Sequence, residues 1–421
     1  MRQHRRLTRL FAVLAAFALV AAACGDDDDD DVTAPPEDEE EEPEDGEALV
    51  LGHIWPETGD LAPLGPPQRA GVDLAIEDIN AAGGVLGAEV TLLQGDEAGD
   101  TARAQEEASR LLGEGAHAII GAASSDMSQS FIQTLFDNEV AQCSPSNTSP
   151  AFSDQDNAAF YFRTVPPDEA VTPVIVDEVI ADGAQTVAIT GRADDYGEAL
   201  VGLLEEGFTE ADVEVQASVS YDPETTTFDA EVGEITAGNP DAIVVIGFAE
   251  GWQLVGSLIE AGVSGDQLYA GDGMFDPGGP ELVNPDDPGV IDGMKAIGAS
   301  GGAEFNERLS EEVGSNLIYG GQAYDCAIVM ALSAHAAGTT DSSVFFDEVG
   351  NVTTDGTECT TFEECRDLLD EGEDIDYTGV SGPLDLDDVG DPTFGRYAIG
   401  QFTADGEFEI VAEQDVDLET L

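Results

Sequence analysis

From Ala48 onward, short apolar runs alternate with stretches whose apolar residues recur at helical spacing, and this alternation restricts the fold more than any other feature. Leu49–Ile54, Val90–Leu93, Ala118–Gly121, Val140–Cys143, Val187–Thr190 and Ala242–Ile246 read as strands. Several lack polar alternation, as expected of parallel strands covered on both faces. Between them, Val72, Ala75, Ile76 and Ile79 fall on one helical face, as do Ala104, Ala108, Leu111 and Leu112. Val171, Val174, Ile175 and Val179 repeat the pattern, and so do Tyr324, Ala327, Ile328 and Ala331. Gly83-Gly84 supplies a helix stop. Repeated β-α order implies an α/β fold with a doubly wound parallel sheet. About 374 residues follow the leader and spacer, too many for one ordinary core, so two lobes are expected. Phe162-Arg163-Thr164-Val165-Pro166-Pro167 interrupts the pattern and suits a crossing between them.

The first residues read as a processing signal. Arg2, Arg5, Arg6 and Arg9 precede an apolar run from Leu10 to Ala23, which at 14 residues is too short to span a bilayer. Val20-Ala21-Ala22-Ala23-Cys24-Gly25 resembles a bacterial lipobox, which implies a signal peptide over 1–24 and lipidation of Cys24. Residues 25–47 carry Asp26 to Asp31 and nine further acids from Glu37 to Glu47. Self-repulsion and the lack of apolar residues make this a disordered acidic tether. It has neither the turn glycine nor the fixed spacing of a calcium loop.

Beyond the tether, 74 acids face nine basic residues, a net charge of about −65. Such a surface repels nucleic acid, whose binding depends on Lys and Arg. Its acidity and single lysine, Lys295, suggest a high-salt habitat in which screening relieves self-repulsion. With Cys24 lipidated, four cysteines remain in an oxidising compartment. Cys359 and Cys365 suit a local disulfide; Cys143 then pairs with Cys326, or both stay as buried thiols. No C-x-x-C occurs, and His53, His117 and His335 are scattered, so no metal and no cofactor is expected.

A set of motifs in fixed order gives the pattern a more specific meaning. Thr58-Gly59 is followed by Gly71-Val72-Asp73-Leu74-Ala75-Ile76-Glu77-Asp78-Ile79-Asn80-Ala81-Ala82-Gly83-Gly84. Ile120-Gly121 leads to Ser124-Ser125, and then come Ser144-Pro145-Ser146-Asn147-Thr148-Ser149-Pro150 and Phe162-Arg163-Thr164. Asp195-Tyr196-Gly197, Pro240-Asp241-Ala242-Ile243, Tyr324-Asp325 and Gly379-Val380-Ser381-Gly382-Pro383 complete the set. In these residues the chain resembles the type I periplasmic binding proteins of the leucine/isoleucine/valine-binding group, over nearly all of 48–410.

The resemblance implies two α/β lobes joined by three crossings: 48–165 plus 297–394, and 166–296 plus 395–421. It implies a ligand carboxylate held by Ser125, Ser146 and Thr148, where loops lead into helix N-termini. It implies Tyr196 and Asp272 on the other lobe, the acid pairing with a ligand ammonium. Relatives commonly carry Glu where Asp272 stands, which leaves urea, short amides or other small carboxylates open as ligands. Leu64, Trp55 and Phe248 fall where the resemblance places the side-chain pocket. Each of these residues also has a plain structural reading as a cap, a turn or a core side chain.

The role implied is that of a monomeric lipoprotein on the outer face of the cell membrane. It would capture a branched-chain or related hydrophobic amino acid and deliver it to the permease and ATPase subunits of an ABC importer. A ligand sensor with the same fold is the alternative. Enzymatic readings are weak. Gly298-Ala299-Ser300-Gly301-Gly302 fits G-x-S-x-G, but His335 lies in an alanine-rich helical stretch. Asp385-Leu386-Asp387-Asp388-Val389-Gly390 hints at a calcium loop but lacks its closing Glu, and reads as a turn between strands.

Overall fold

The computed structural model describes residues 47–59 and 61–421. The expected signal peptide, the expected lipidation of Cys24 and the expected tether up to residue 46 lie outside the described residues. The described residues, 47–59 and 61–421, belong to one compact unit.

Its first part runs β1 (Val50–Trp55), α1 (Gly65–Ala81), β2 (Thr91–Asp96), α2 (Thr101–Gly113), β3 (Ala118–Gly121), α3 (Ser125–Asp137), β4 (Ala141–Ser144), α4 (Ala151–Asp154) and β5 (Tyr161–Arg163). These strands form a wholly parallel sheet in the order β2-β1-β3-β4-β5. The chain continues through α5 (Asp168–Ala181), β6 (Thr186–Arg192), α6 (Asp195–Glu210), β7 (Glu214–Tyr221), α7 (Asp229–Ile235), β8 (Ala242–Ile246), α8 (Gly251–Glu260), β9 (Leu268–Ala270), α9 (Gly279–Val283) and β10 (Lys295–Ala299). Next come α10 (Ala303–Val313), α11 (Gly320–Ala337), α12 (Ser342–Phe345), β11 (Thr357–Cys359), α13 (Phe362–Glu371), β12 (Ile375–Gly379) and β13 (Gly382–Pro383). The hairpin β14 (Phe394–Phe402) and β15 (Phe408–Asp417) follows.

The second sheet has the order β15-β14-β10-β9-β8-β6-β7. Without its antiparallel hairpin, it repeats the order of the first sheet: β7-β6-β8-β9-β10 corresponds to β2-β1-β3-β4-β5. Each sheet therefore has a switch point, between β1 and β3 and between β6 and β8. There successive connections leave on opposite faces and open a crevice at the strand carboxyl ends. β10 carries the second sheet through Ala299, so a boundary drawn at 297 cuts this strand.

The helices form as their patterns require. α1 begins with Pro66 and Pro67 in its first turn, buries Val72, Ala75 and Ile79, and stops before Gly83 and Gly84, both at positive φ. α11 is buried from Gly320 to Ala334, which explains its near-continuous apolar character. Gly71 of α1 faces the Gly320 carbonyl with no room for a Cβ, so the two helices approach closely. Two disulfides, Cys143–Cys326 and Cys359–Cys365, fix β4 to α11 and close the loop before α13.

Candidate ligand-binding site

Candidate residues cluster at the carboxyl ends of strands in both sheets. Beyond β3, Ser124 caps α3 through the Met127 N–H, and Ser125 Oγ accepts from the Ser149 N–H at 3.4 Å. Beyond β4, Ser144 Oγ accepts from the Asn147 N–H at 3.0 Å and shapes the 144–149 loop. Ser146 Oγ lies 2.7 Å from the Ala123 carbonyl and 3.0 Å from Gln68 Oε1. Gln68 in turn donates to the Leu64 carbonyl at 2.9 Å. The serine loop is thus already internally bonded, whereas the buried Thr148 Oγ1 has no hydrogen-bond partner among the described residues.

On the second sheet, Tyr196 follows β6, Phe248 follows β8 and Asp272 follows β9. The Tyr196 hydroxyl donates to Asp272 Oδ1 at 2.6 Å, and the Phe248 ring stacks on Tyr196 at 5.1 Å. Tyr319, at the head of α11, donates to Asp272 Oδ2 at 2.5 Å. Tyr319 has φ 61, a conformation costly for a bulky side chain and found where surrounding contacts enforce it. The Gly273 N–H also donates to Oδ1. Burial raises the Asp272 pKa above the usual carboxylate range, while these three donors pull it back.

Asp168 is the residue the sequence reading missed. It opens α5 directly after Pro166-Pro167, and its N–H donates to the Thr148 carbonyl at 2.8 Å. Its side chain is fully buried; neither carboxyl oxygen makes a well-formed hydrogen bond among the described residues, although the Thr148 hydroxyl lies close enough to pull the pKa down in part. Burial first, and the neighbouring Asp272 second, hold its pKa well above the ordinary range. Arg163 does not neutralise it directly. That guanidinium binds both oxygens of Asp391, at 2.6 and 2.8 Å, and the carbonyls of Asn147 and Ser149. The Pro-Pro signal marked this place in the chain, but only the three-dimensional neighbourhood identifies the carboxyl. Nothing local in the sequence singles out Tyr319 or Gln68.

Ser125, Ser146 and Thr148 therefore share one loop cluster, and Tyr196, Phe248 and Asp272 another. Asp168 adjoins Thr148 through its backbone and Asp272 through its charge. Leu64 is linked to Ser146 by Gln68. Trp55 stands apart: it is fully buried in β1 with its ring stacked on His53, and among the described residues no hydrogen bond or ring contact joins it to the cluster.

The competing motifs have ordinary surroundings. Ser300 Oγ donates to the Gly301 carbonyl, and His335 bonds Asp370. Asp387 accepts from the N–H groups of Val389 and Asp391 in a turn between β13 and β14. Among the described residues, no group of His, Cys, Asp and Glu is arranged to hold a metal ion.

The model of the periplasmic binding protein family matches residues 48–383. The chain is similar to the chemotactic signal transduction system substrate-binding protein BasB of Halobacterium salinarum, with 26% identity over 373 residues, 86% of this chain and 88% of that one. In structure it is similar to the leucine-binding protein LivK of Thermotoga maritima, with a TM-score of 0.74 and 21% identity, covering 89% of this chain and all of the other. It is also similar to the branched-chain amino acid transporter substrate-binding protein LivJ of Streptococcus pneumoniae in complex with isoleucine. There the TM-score is 0.71 and the identity 20%, over 88% of this chain and all of the other.

Proposed function

Because the chain belongs to the periplasmic binding protein family, in its type I leucine/isoleucine/valine-binding group, we propose that it captures a free amino acid for an ABC importer. The family consists of extracytoplasmic substrate-binding proteins, not enzymes, so the chemistry to explain is recognition. The observation that carries the proposal is the Asp168 carboxyl, fully buried beside the Thr148 hydroxyl, with no well-formed hydrogen bond and no cation bound to it among the described residues. A buried acid of this kind is costly until a cation meets it.

Next to it, the start of α3 and the 144–149 loop offer N–H groups, hydroxyls and a helix dipole that suit a carboxylate. An α-amino acid presents both charges on one carbon. In this reading Ser125, Ser146 and Thr148 surround the carboxylate, and Asp168 meets the ammonium. Asp272 then acts chiefly by orienting Tyr196 and Tyr319. Leu64 and Phe248, with Trp55 farther off, wall an apolar side chain, which favours a branched-chain or related hydrophobic amino acid.

The two sheets support a division into lobes of 48–165 plus 297–394 and 166–296 plus 395–421, with the middle crossing moved to follow Ala299. Ligand contacts from both lobes would favour the closed form by no more than their difference in affinity for the two states. Monomeric action, anchoring through Cys24 and docking to permease and ATPase subunits complete the proposal. Titration calorimetry in molar salt should show one-to-one binding of leucine, isoleucine or valine. Absence of binding across amino acids, amides, urea and small carboxylates would overturn it.

Similarity to a chemotactic substrate-binding protein favours a second reading, in which the loaded protein informs a transducer. Deleting the gene separates the two: loss of labelled amino-acid uptake marks transport, and loss of taxis with uptake intact marks sensing.

A further inference from the structure

Arg192, the last residue of β6, lies under the aromatic side of the site, with its side chain only 12% exposed. Its Nε is 2.5 Å from Asp194 Oδ2 and its Nη1 2.8 Å from Glu250 Oε1. Its guanidinium carbon stands 4.3 Å from the centre of the Phe248 ring. The same ring stacks on Tyr196 with 21° between the planes. Glu250 Oε1 also accepts from the Phe248 N–H at 3.2 Å, so backbone and ring of Phe248 are tied to one ion pair. Gly197 leaves no space for a Cβ against Arg192, which lets α6 begin in contact with it.

We infer that Arg192 is a positioning residue that sets ligand discrimination: it fixes the height of the Phe248 ring against Tyr196, and with it the depth of the side-chain pocket. A planar guanidinium held at two corners by carboxylates can cover a ring face. A lysine ammonium keeps the charge but not the planar fork, so it meets Glu250 and Asp194 without holding the ring. The inference rests on the reading of this cleft as an amino-acid site.

The test is calorimetric titration of the purified full chain and its Arg192→Lys variant with leucine and with alanine, alongside melting temperatures. In the proposed binding mode a leucine side chain extends toward the Phe248 ring, whereas alanine's methyl group stops short of it. The variant should keep its melting temperature and lose roughly tenfold in leucine affinity, with alanine affinity changed less than about twofold. Equal changes for both ligands, or a lowered melting temperature with an unchanged leucine-to-alanine ratio, would show a merely structural role and overturn the inference. Phe248→Leu in the Arg192 background removes the ring through which the arginine acts, and should lower the same ratio even if the lysine variant does not fold. An unchanged ratio in Phe248→Leu overturns the inference independently. If the wild type binds neither these nor any other amino acid, the underlying reading fails first.

Discussion

The Tyr319 hydroxyl donates to Asp272 Oδ2 at 2.5 Å, joining the head of α11 to the end of β9. α11 packs on α1 and on the first sheet, whereas β9 belongs to the second. One buried carboxyl, shared with Tyr196, thus connects elements on both sides of the crevice. Hydrogen bonds to charged groups contribute about 1.5–3 kcal/mol. Tyr319→Phe should therefore weaken ligand binding about tenfold or more through a less favoured closed form. Small-angle scattering with saturating leucine would show a larger radius of gyration than wild type. Unchanged affinity and unchanged scattering would remove Tyr319 from the closing contacts.

Asp168 makes a prediction with opposite signs for stability and for binding. Its pKa in the folded protein lies well above the ordinary 3.8, so folding takes up a proton over the window that starts near that value and extends upward. Across this window stability falls as pH rises. Asp168→Asn removes the penalty and should raise the melting temperature of the ligand-free protein at neutral pH. A bound ammonium favours the ionised acid, so amino-acid affinity should rise with pH over the same range, and the Asn variant should lose about a hundredfold. Calorimetry in two buffers of different ionisation enthalpy would detect the proton released on binding. A variant that binds as tightly as wild type would reassign the ammonium to Asp272.

Arg163 and Asp391 form a buried, two-pronged ion pair that also steadies the Asn147 and Ser149 carbonyls. Removing one partner leaves the other uncompensated, at a cost of about 3–5 kcal/mol. Asp391→Ala should therefore lower the denaturant midpoint strongly, and it should loosen the 144–149 loop as read by hydrogen exchange. Replacing both residues together should cost less than the sum of the single changes.

The parts of this architecture legible in the sequence were those with a local cause. The strands Ala118–Gly121 and Ala242–Ile246 are apolar because helices cover both their faces, and they coincide with β3 and β8. β7 and β15 are edge strands with exposed residues, and β9 has three residues, so none carries a comparable run. At the candidate site, Ser125, Ser146, Thr148 and Tyr196 stand in motifs of fixed order, and Asp272 is reached through the family resemblance. Asp168 and Tyr319 acquire meaning only from neighbours 104 and 47 residues away in sequence, through Asp272. Arg192 was hidden for the same reason: a ring stack across two strand ends leaves no local spacing to read.

Every one of the nine basic residues beyond the tether makes an ion pair, from Arg69 to Arg396. Against 74 acids, the remaining charge is overwhelmingly negative. Added salt weakens the exposed pairs, each worth about 0–1 kcal/mol, but it also screens the much more numerous repulsions. The melting temperature should therefore rise between low and molar potassium chloride. A flat or falling profile would show that the acids do not limit stability.

The two disulfides should contribute unequally. Cys143–Cys326 closes a loop with a sequence separation of 183, against 6 for Cys359–Cys365. Restricting the unfolded chain stabilises more for the longer loop, about 5 kcal/mol against about 2 in the chain-entropy account. The long one also anchors β4, from which the 144–149 loop departs, to α11, which begins just after Tyr319. Replacing Cys143 and Cys326 together by alanine should thus lower the melting temperature and weaken leucine binding. The same change at Cys359 and Cys365 should give a smaller fall in melting temperature and leave binding alone. Urea melts with calorimetric titration of both double variants would test this, and equal binding losses in the two would sever the link between β4 anchoring and the ligand loop.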